Sequence, residues 1–422
     1  MTYAEARARV LALRGGEHAG MRPGLERIHA LLEALGHPER RLAIVQVGGT
    51  NGKGSAAALL AGMFKAAGRR VGLYTSPHLC CLRERIRVGD ELIGEDEVAD
   101  GMDALGTLIA RTDATMFEAV TALALDHFAR AGVEVAVLEV GLGGRLDATT
   151  VGEPAACVIT RIDYDHERYL GATLAEIAAE KAAIIRTGFA VSAAQPPAAH
   201  AVVAERAKAA GVPLLVEGAD LHALATACTL DGRSVTFTGP GFALGAARLA
   251  LLGRFQISNA LLAAATAHGL GVPEAAIRLG LAHTRWPGRF QVLEGEPRLV
   301  LDGAHNPNGA RALAESLRDY FGDEPKTLIV GIAADKDARG ILGALVPVAS
   351  RVILTRSSNA RAADPAALLR AMPPSDVRVE TAPSVSRALD LAYSLPRTPI
   401  ICVAGSLFLI ADVLELRSLQ PR

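Results

Sequence analysis

The sequence predicts an α/β fold, with a P-loop parallel-sheet domain over residues 1–293 and a smaller Rossmann-like α/β domain over 294–422. Three observations lead there. An apolar, β-branched run at 42–47 enters Val47-Gly48-Gly49-Thr50-Asn51-Gly52-Lys53-Gly54-Ser55 and leaves it as an Ala- and Leu-rich helix at 56–67. Strand, polar loop and helix then repeat, the pattern of a mostly parallel sheet with ligands at one edge. After Glu294-Gly295-Glu296-Pro297 a second alternation begins, and 422 residues are too many for one ordinary core.

In chain order, 2–35 reads as two helices broken at Gly15-Gly16 and around Arg22-Pro23-Gly24, the second stopped by Gly36 and Pro38. A short strand at 70–74 runs into Thr75-Ser76-Pro77-His78-Leu79, where Pro77 ends regular structure. A helix at 117–131 leads to a buried strand at 133–140, which carries Glu139 into a second glycine-rich loop, 141–149. A carboxylate at such a strand end is costly unless a cation lies near it. The strand at 155–160 opens into Arg161-Ile162-Asp163-Tyr164-Asp165-His166, and a helix follows through Lys181 to Ile185. Residues 191–251 are weakly patterned, with a hairpin around Asp231-Gly232. Helices at 257–268 and 273–281 precede the domain boundary, and strands at 298–301, 327–330, 352–354 and 400–403 form the second sheet, which has no dinucleotide glycine fingerprint.

The chemistry of the first loop is legible from its residue types. A glycine turn between strand and helix aims backbone N–H groups and the positive end of the helix dipole at one point, which suits phosphate. Lys53 adds a mobile cation and the Ser55 hydroxyl suits magnesium, although Val47 and Gly54 depart from the standard phosphate-loop spacing. Forty-four Lys and Arg against 45 Asp and Glu leave a net charge of −1, so nothing global attracts nucleic acid or an acidic membrane. The longest apolar runs fall short of the roughly 20 residues of a membrane helix, and 1–14 lacks the features of a signal peptide. Cys80, Cys81, Cys157, Cys228 and Cys402 show no disulfide or zinc spacing, so reduced thiols in a cytoplasm are expected.

Several stretches together resemble the folylpolyglutamate synthase and dihydrofolate synthase family of the Mur ligase superfamily. They are Gly49 to Ser55, Ser76-Pro77-His78-Leu79, 139–148, Asp165-His166 with Leu170-Gly171, Glu180-Lys181, Pro287-Gly288-Arg289-Phe290-Gln291, Asp302-Gly303-Ala304-His305-Asn306-Pro307, Asp335-Lys336-Asp337 and Gly405-Ser406. The resemblance implies an ATP- and magnesium-dependent ligase that joins L-glutamate to dihydropteroate and reduced folates through an acyl phosphate, acting as a monomer. It further implies that Thr50, Asn51, Gly52, Lys53, Gly54 and Ser55 cradle ATP, that Ser76, Glu139 and His166 hold magnesium, and that Lys181 is carbamylated and serves a second metal. Asn259, Arg289 and Asp302 would touch the nucleotide, bridging the domains, with His305 orienting it or sensing the acyl phosphate. Gly24, Leu25, Thr115, Met116, Phe117, Glu118, Leu146, Asp147 and Ala148 would meet the pterin, Phe117 by stacking and the carboxylates by pairing with N–H groups. Arg83, Arg85 and Arg87 would either attract a glutamate tail or form a solvated face. Thr150 and Ala183 depart from the commonest family spellings.

Three rivals stand beside this reading: a folylpolyglutamate synthase alone, a Mur ligase acting on a peptidoglycan precursor, and a nucleotide-controlled switch that makes no product. The 47 residues before the phosphate loop are too few for the extra N-terminal domain that the second would bring. A switch would not need the acidic, histidine and lysine set around one loop.

Overall fold

The computed structural model describes residues 1–13, 23–394 and 398–417. The breaks expected at Gly15-Gly16 and Arg22 lie outside the described residues. Two units emerge, one of residues 1–225, 235–248 and 257–284, the other of 226–234, 249–256 and 285–422.

The first unit is built on strands β1 (Ala43–Gly48), β2 (Val71–Tyr74), β3 (Ile86–Val88), β4 (Glu91–Leu92), β5 (Val135–Glu139), β6 (Pro154–Ile159), β7 (Phe189–Ser192) and β8 (Leu214–Val216). Their spatial order is β4-β3-β2-β5-β1-β6-β7-β8. From β2 across to β8 the pairs are parallel, and β3 and β4 add an antiparallel edge. Every residue of β5 is buried, as a parallel strand covered on both faces requires.

Register explains why the chemistry collects where it does. Val47 pairs with Glu139, Gly48 with Ile159, and Tyr74 with Leu138, so β1, β2, β5 and β6 end level at one edge. The loops beginning at 49, 75, 140 and 160 open there together, at the carboxyl ends where parallel sheets bind ligands. Behind the first loop, helix Lys53–Ala66 is buried along most of its length, and Gly280 lets helix Glu274–His283 cross it closely, because a Cβ there would press on Met63. The helix expected through Ile185 stops at Ala182.

Some elements were not visible in the pattern. Helix Glu95–Thr112 carries Gly101 and Gly106, which blur its periodicity; Leu123 closes on the first and the Arg9 guanidinium on the second. Helix Pro197–Ala210 is too rich in alanine to show a clear apolar face. Strands β9 (His222–Ala225), β10 (Arg233–Gly239) and β11 (Phe242–Leu249) form a three-stranded sheet in the order β11-β10-β9, and the hairpin expected at Asp231-Gly232 falls in the connection between β9 and β10.

The second unit contains β12 (Gln291–Leu293), β13 (Arg298–Asp302), β14 (Lys326–Val330), β15 (Arg351–Leu354), β16 (Arg378–Thr381) and β17 (Ile400–Ala404), ordered β12-β13-β17-β14-β15-β16. All pairs are parallel except β12 with β13. Because β12 pairs with β13, the expected boundary at 293/294 falls after the unit's first strand, and the unit's longest stretch starts at Arg285. No described helix is long and apolar enough to cross a membrane.

Candidate active site

The glycine-rich loop after β1 is held by its neighbours before any ligand arrives. Gly49 (φ +135) lies against Thr160 Oγ1 and Gly52 (φ +94) against the Asn259 side-chain amide, each too close for a Cβ. The Thr50 and Asn51 amides both donate to the Arg161 carbonyl, at 2.9 and 3.3 Å, and the Thr50 hydroxyl bonds the Asp163 backbone at 3.0 Å. Those two amides are therefore engaged by the β6 loop, and the helix begins just after them at Lys53, with Gly52 as its N-cap.

Two lysines meet on this turn. Lys53 Nζ donates to Thr50 O at 3.1 Å and Gly49 O at 3.3 Å, and Lys181 Nζ donates to Gly49 O at 2.9 Å. Lys181 is buried, and burial, reinforced by the Lys53 charge, pulls its pKa down from 10.5 to about 7. The nearby carboxylates of Asp165 and Asp147 oppose that shift.

Beside the lysines, the Ser76 amide donates to Glu139 Oε2 at 3.0 Å, joining the ends of β2 and β5. His166, held at φ +54, has Nε2 3.8 Å from Asp165 Oδ1. Ser76 and Glu139 offer oxygen donors that fit a hard cation taking its remaining ligands from water and phosphate. Among the described residues no group of three or more His, Cys, Asp and Glu is placed to hold a metal.

The three segments expected at the pterin do converge. Arg27 Nε donates to both oxygens of Glu118, at 2.9 and 3.0 Å, and its Nη2 reaches toward Gly24 O at 3.5 Å. Glu118 also accepts from Thr115 N and Oγ1, closing the capping box of helix Met116–Arg130. Its carboxylate is thus engaged by protein donors rather than held open. The Phe117 ring lies 5.9 Å from that of Tyr74 and directly against Gly141, where a Cβ would strike it. Leu25 packs on the core and Met116 and Ala148 are buried within it, while Leu146 lies in the same loop as Asp147.

Asp147 is likewise turned into its own loop. Oδ1 accepts from Thr149 N at 3.0 Å and Thr149 Oγ1 at 2.6 Å, and Oδ2 from Leu142 N at 2.9 Å. Burial raises its pKa and these bonds hold it down. Thr150, the departure from the common spelling, ties the loop by donating to Gly144 O at 2.7 Å. The Arg83, Arg85 and Arg87 set is not a solvated face: Arg83 Nε donates to Ile93 O at 2.6 Å, Arg87 Nε to Glu84 O at 3.3 Å, and buried Arg85 to His78 Nδ1 at 2.9 Å.

In the second unit, Asp302 accepts from Phe290 N at 2.7 Å and Ala304 N at 2.8 Å, and Gly303 lies against the Arg289 guanidinium. Burial raises the Asp302 pKa, with Arg289 the largest opposing influence. His305 Nδ1 lies 2.8 Å from Gly303 O, a bond that places the ring proton on Nδ1. Phe290 is held at φ +44, a conformation aromatic residues rarely adopt, by the Asp302 bond and by ring contacts with Tyr320 and Phe321. Sequence reasoning missed Arg27, the role of the Arg161 carbonyl and the constraint on Phe290. None has a local signal, since each acts through a partner distant in the chain.

The Mur ligase middle domain family matches residues 47–267, and the family described as Mur ligase, glutamate ligase domain matches 288–407. The "Probable bifunctional folylpolyglutamate synthase/dihydropteroate synthase" of Haloferax volcanii is 38% identical over 93% of this chain; the chain spans about half of that relative's length, 48%. Mycobacterium tuberculosis folylpolyglutamate synthase complexed with ADP superposes with a TM-score of 0.92 at 32% identity, covering 100% of this chain and 99% of that one. Escherichia coli FolC in complex with DHPP and ADP gives 0.91 at 30% identity, with 99% and 98% coverage.

The lowered Lys181 pKa has a consequence for stability. Between about pH 7 and 10.5 the unfolded chain binds a proton at this amine that the folded chain does not, so stability rises with pH across that window and the penalty is complete below it. In degassed buffer, Lys181→Met should flatten that rise by up to about 1.4 kcal/mol per pH unit in urea unfolding. A variant whose pH slope matches the parent would show an ordinary, fully charged lysine.

Proposed function

The chain belongs to the dihydrofolate synthase/folylpolyglutamate synthase family of Mur ligases, and on that premise we propose that it is an ATP-dependent ligase joining L-glutamate to dihydropteroate and to reduced folates. The observation that carries the reading is the convergence, at one edge of the sheet, of the Lys53 and Lys181 pair with the Arg27, Phe117 and Glu118 cluster. One group suits phosphates and the other a flat, hydrogen-bonding ring. The ADP and DHPP named for the Escherichia coli structure fit that division.

In the proposed reaction the substrate carboxylate takes the γ-phosphoryl group of ATP, giving an acyl phosphate and ADP. The glutamate amine then attacks the acyl carbon, forming the amide as phosphate leaves and the amine loses its proton. Such a transfer depends on alignment and charge neutralisation. Lys53 swings from the Thr50 and Gly49 carbonyls to the phosphates, while Asn259 and Thr160 keep the turn in shape. Ser76, Glu139 and His166 are the residues we assign to magnesium, which when bound would draw charge from the phosphate oxygens. Phe117 stacks the pterin, and Asp147, whose oxygens accept from Thr149, Leu142 and Gly141, shapes the loop that lies against it rather than accepting the ring N–H groups. We assign Arg289, Asp302 and His305 to the nucleotide.

Lys181 in this reading carries a carbamate. Its neutral amine adds CO2 and releases a proton, turning a cation pressed against Lys53 into an anion beside it. With 13C-labelled bicarbonate, the active protein should show a carbamate carbon resonance that Lys181→Met lacks; an active protein without the resonance would exclude the modification.

The activity test is glutamate-dependent phosphate release with dihydropteroate and, separately, with tetrahydrofolate. Both should support turnover, and Lys53→Ala should lower it at least about 100-fold with little loss of stability. Turnover on tetrahydrofolate alone would make this a folylpolyglutamate synthase, and full activity in Lys53→Ala would refute the phosphate assignment.

A further inference from the structure

Gln46 lies in β1, two residues before Gly48, with 0% of its surface exposed. A central strand position paired with Leu138 and Cys157 would ordinarily hold an aliphatic side chain. Here the amide reaches the second glycine-rich loop, where Nε2 donates to Thr149 Oγ1 at 3.1 Å and Thr150 Oγ1 at 2.7 Å. Each hydroxyl has one proton, and both are engaged elsewhere, Thr149's on Asp147 Oδ1 at 2.6 Å and Thr150's on Gly144 O at 2.7 Å. The threonines can therefore only accept from residue 46, and only the NH2 end of the amide serves them. The opposite end confirms the cost of the arrangement, because Gln46 Oε1 is buried with no hydrogen-bond partner among the described residues.

We propose that Gln46 is a positioning residue for the pterin end of the substrate, fixing the 141–150 loop through Thr149 and Thr150 and holding Asp147 within it. This rests on the assignment of that loop to the pterin. The donors run one way, from the Gln46 amide to the Thr149 hydroxyl and from that hydroxyl to the Asp147 carboxylate. Without the first donor, the Thr149 hydroxyl is free to turn from Asp147, which then keeps the backbone bonds from Thr149, Leu142 and Gly141. The loop shifts rather than collapses, because those bonds remain. The phosphate turn is held separately, through Arg161, Asp163 and the two lysines, so ATP binding does not depend on Gln46.

Two variants separate this role from core filling. Gln46→Met keeps the length without the donor, and Gln46→Glu keeps the shape but demands protons from both threonines. In either, the KM for dihydropteroate should rise about tenfold while the KM for ATP stays within about twofold. Thr149→Ser, which preserves the hydroxyl, should behave as the parent. A substrate-free measurement runs beside the kinetics: hydrogen exchange of the 141–150 amides should quicken in both Gln46 variants, with β1 unchanged. No pterin-dependent turnover in the parent protein would overturn the functional reading itself. In an active parent, unchanged KM and exchange, or equal losses for ATP and pterin, would overturn the role of Gln46.

Discussion

The carbonyl oxygen of Gly49 accepts hydrogen bonds from two lysines, and much of the first unit follows from that meeting. Two ammonium groups on one acceptor repel unless one loses its proton or an anion joins them. Lys181 is buried and can relieve the repulsion by deprotonation; Lys53, at the start of a helix, can move to a ligand. A turn that forces cations together is stable only if its backbone is locked, which is the task of Gly49 against Thr160, Gly52 against Asn259, and the Thr50 and Asn51 amides on Arg161. The site is thus charged and rigid before nucleotide arrives, so little reorganisation remains for the reaction itself.

Away from the lysines, acidic side chains are held by bonds of their own. Glu118 is a helix cap and the partner of Arg27; Asp147 closes a loop; Asp302 holds Phe290 in a left-handed conformation; Glu139 takes the Ser76 amide. Each carboxylate is buried among donors that keep it fixed, and each oxygen has more than one lone pair.

Much of this was legible in the sequence because it is local. The strand and helix around Gly48 to Ser55, the buried strand ending at Glu139, and the parallel strands of the second unit follow from apolar runs and glycine positions. What the sequence hid is long-range or masked by composition. Arg27 meets Glu118, Gln46 meets Thr149, and Arg161 meets Thr50, pairs whose partners no spacing rule connects. Helix Glu95–Thr112 was obscured by the glycines that allow its close packing, and β12 by its shortness, which moved the boundary between units.

In the proposed reaction, the edge of this sheet activates a carboxylate by transferring phosphate to it. Isotope transfer tests that step directly. With dihydropteroate carrying 18O in both carboxylate oxygens, ATP and glutamate, each released phosphate should carry one 18O and the new amide should retain the other. Phosphate free of label, with turnover intact, would mean that water rather than the substrate carboxylate received the phosphoryl group, and would rule out the acyl phosphate.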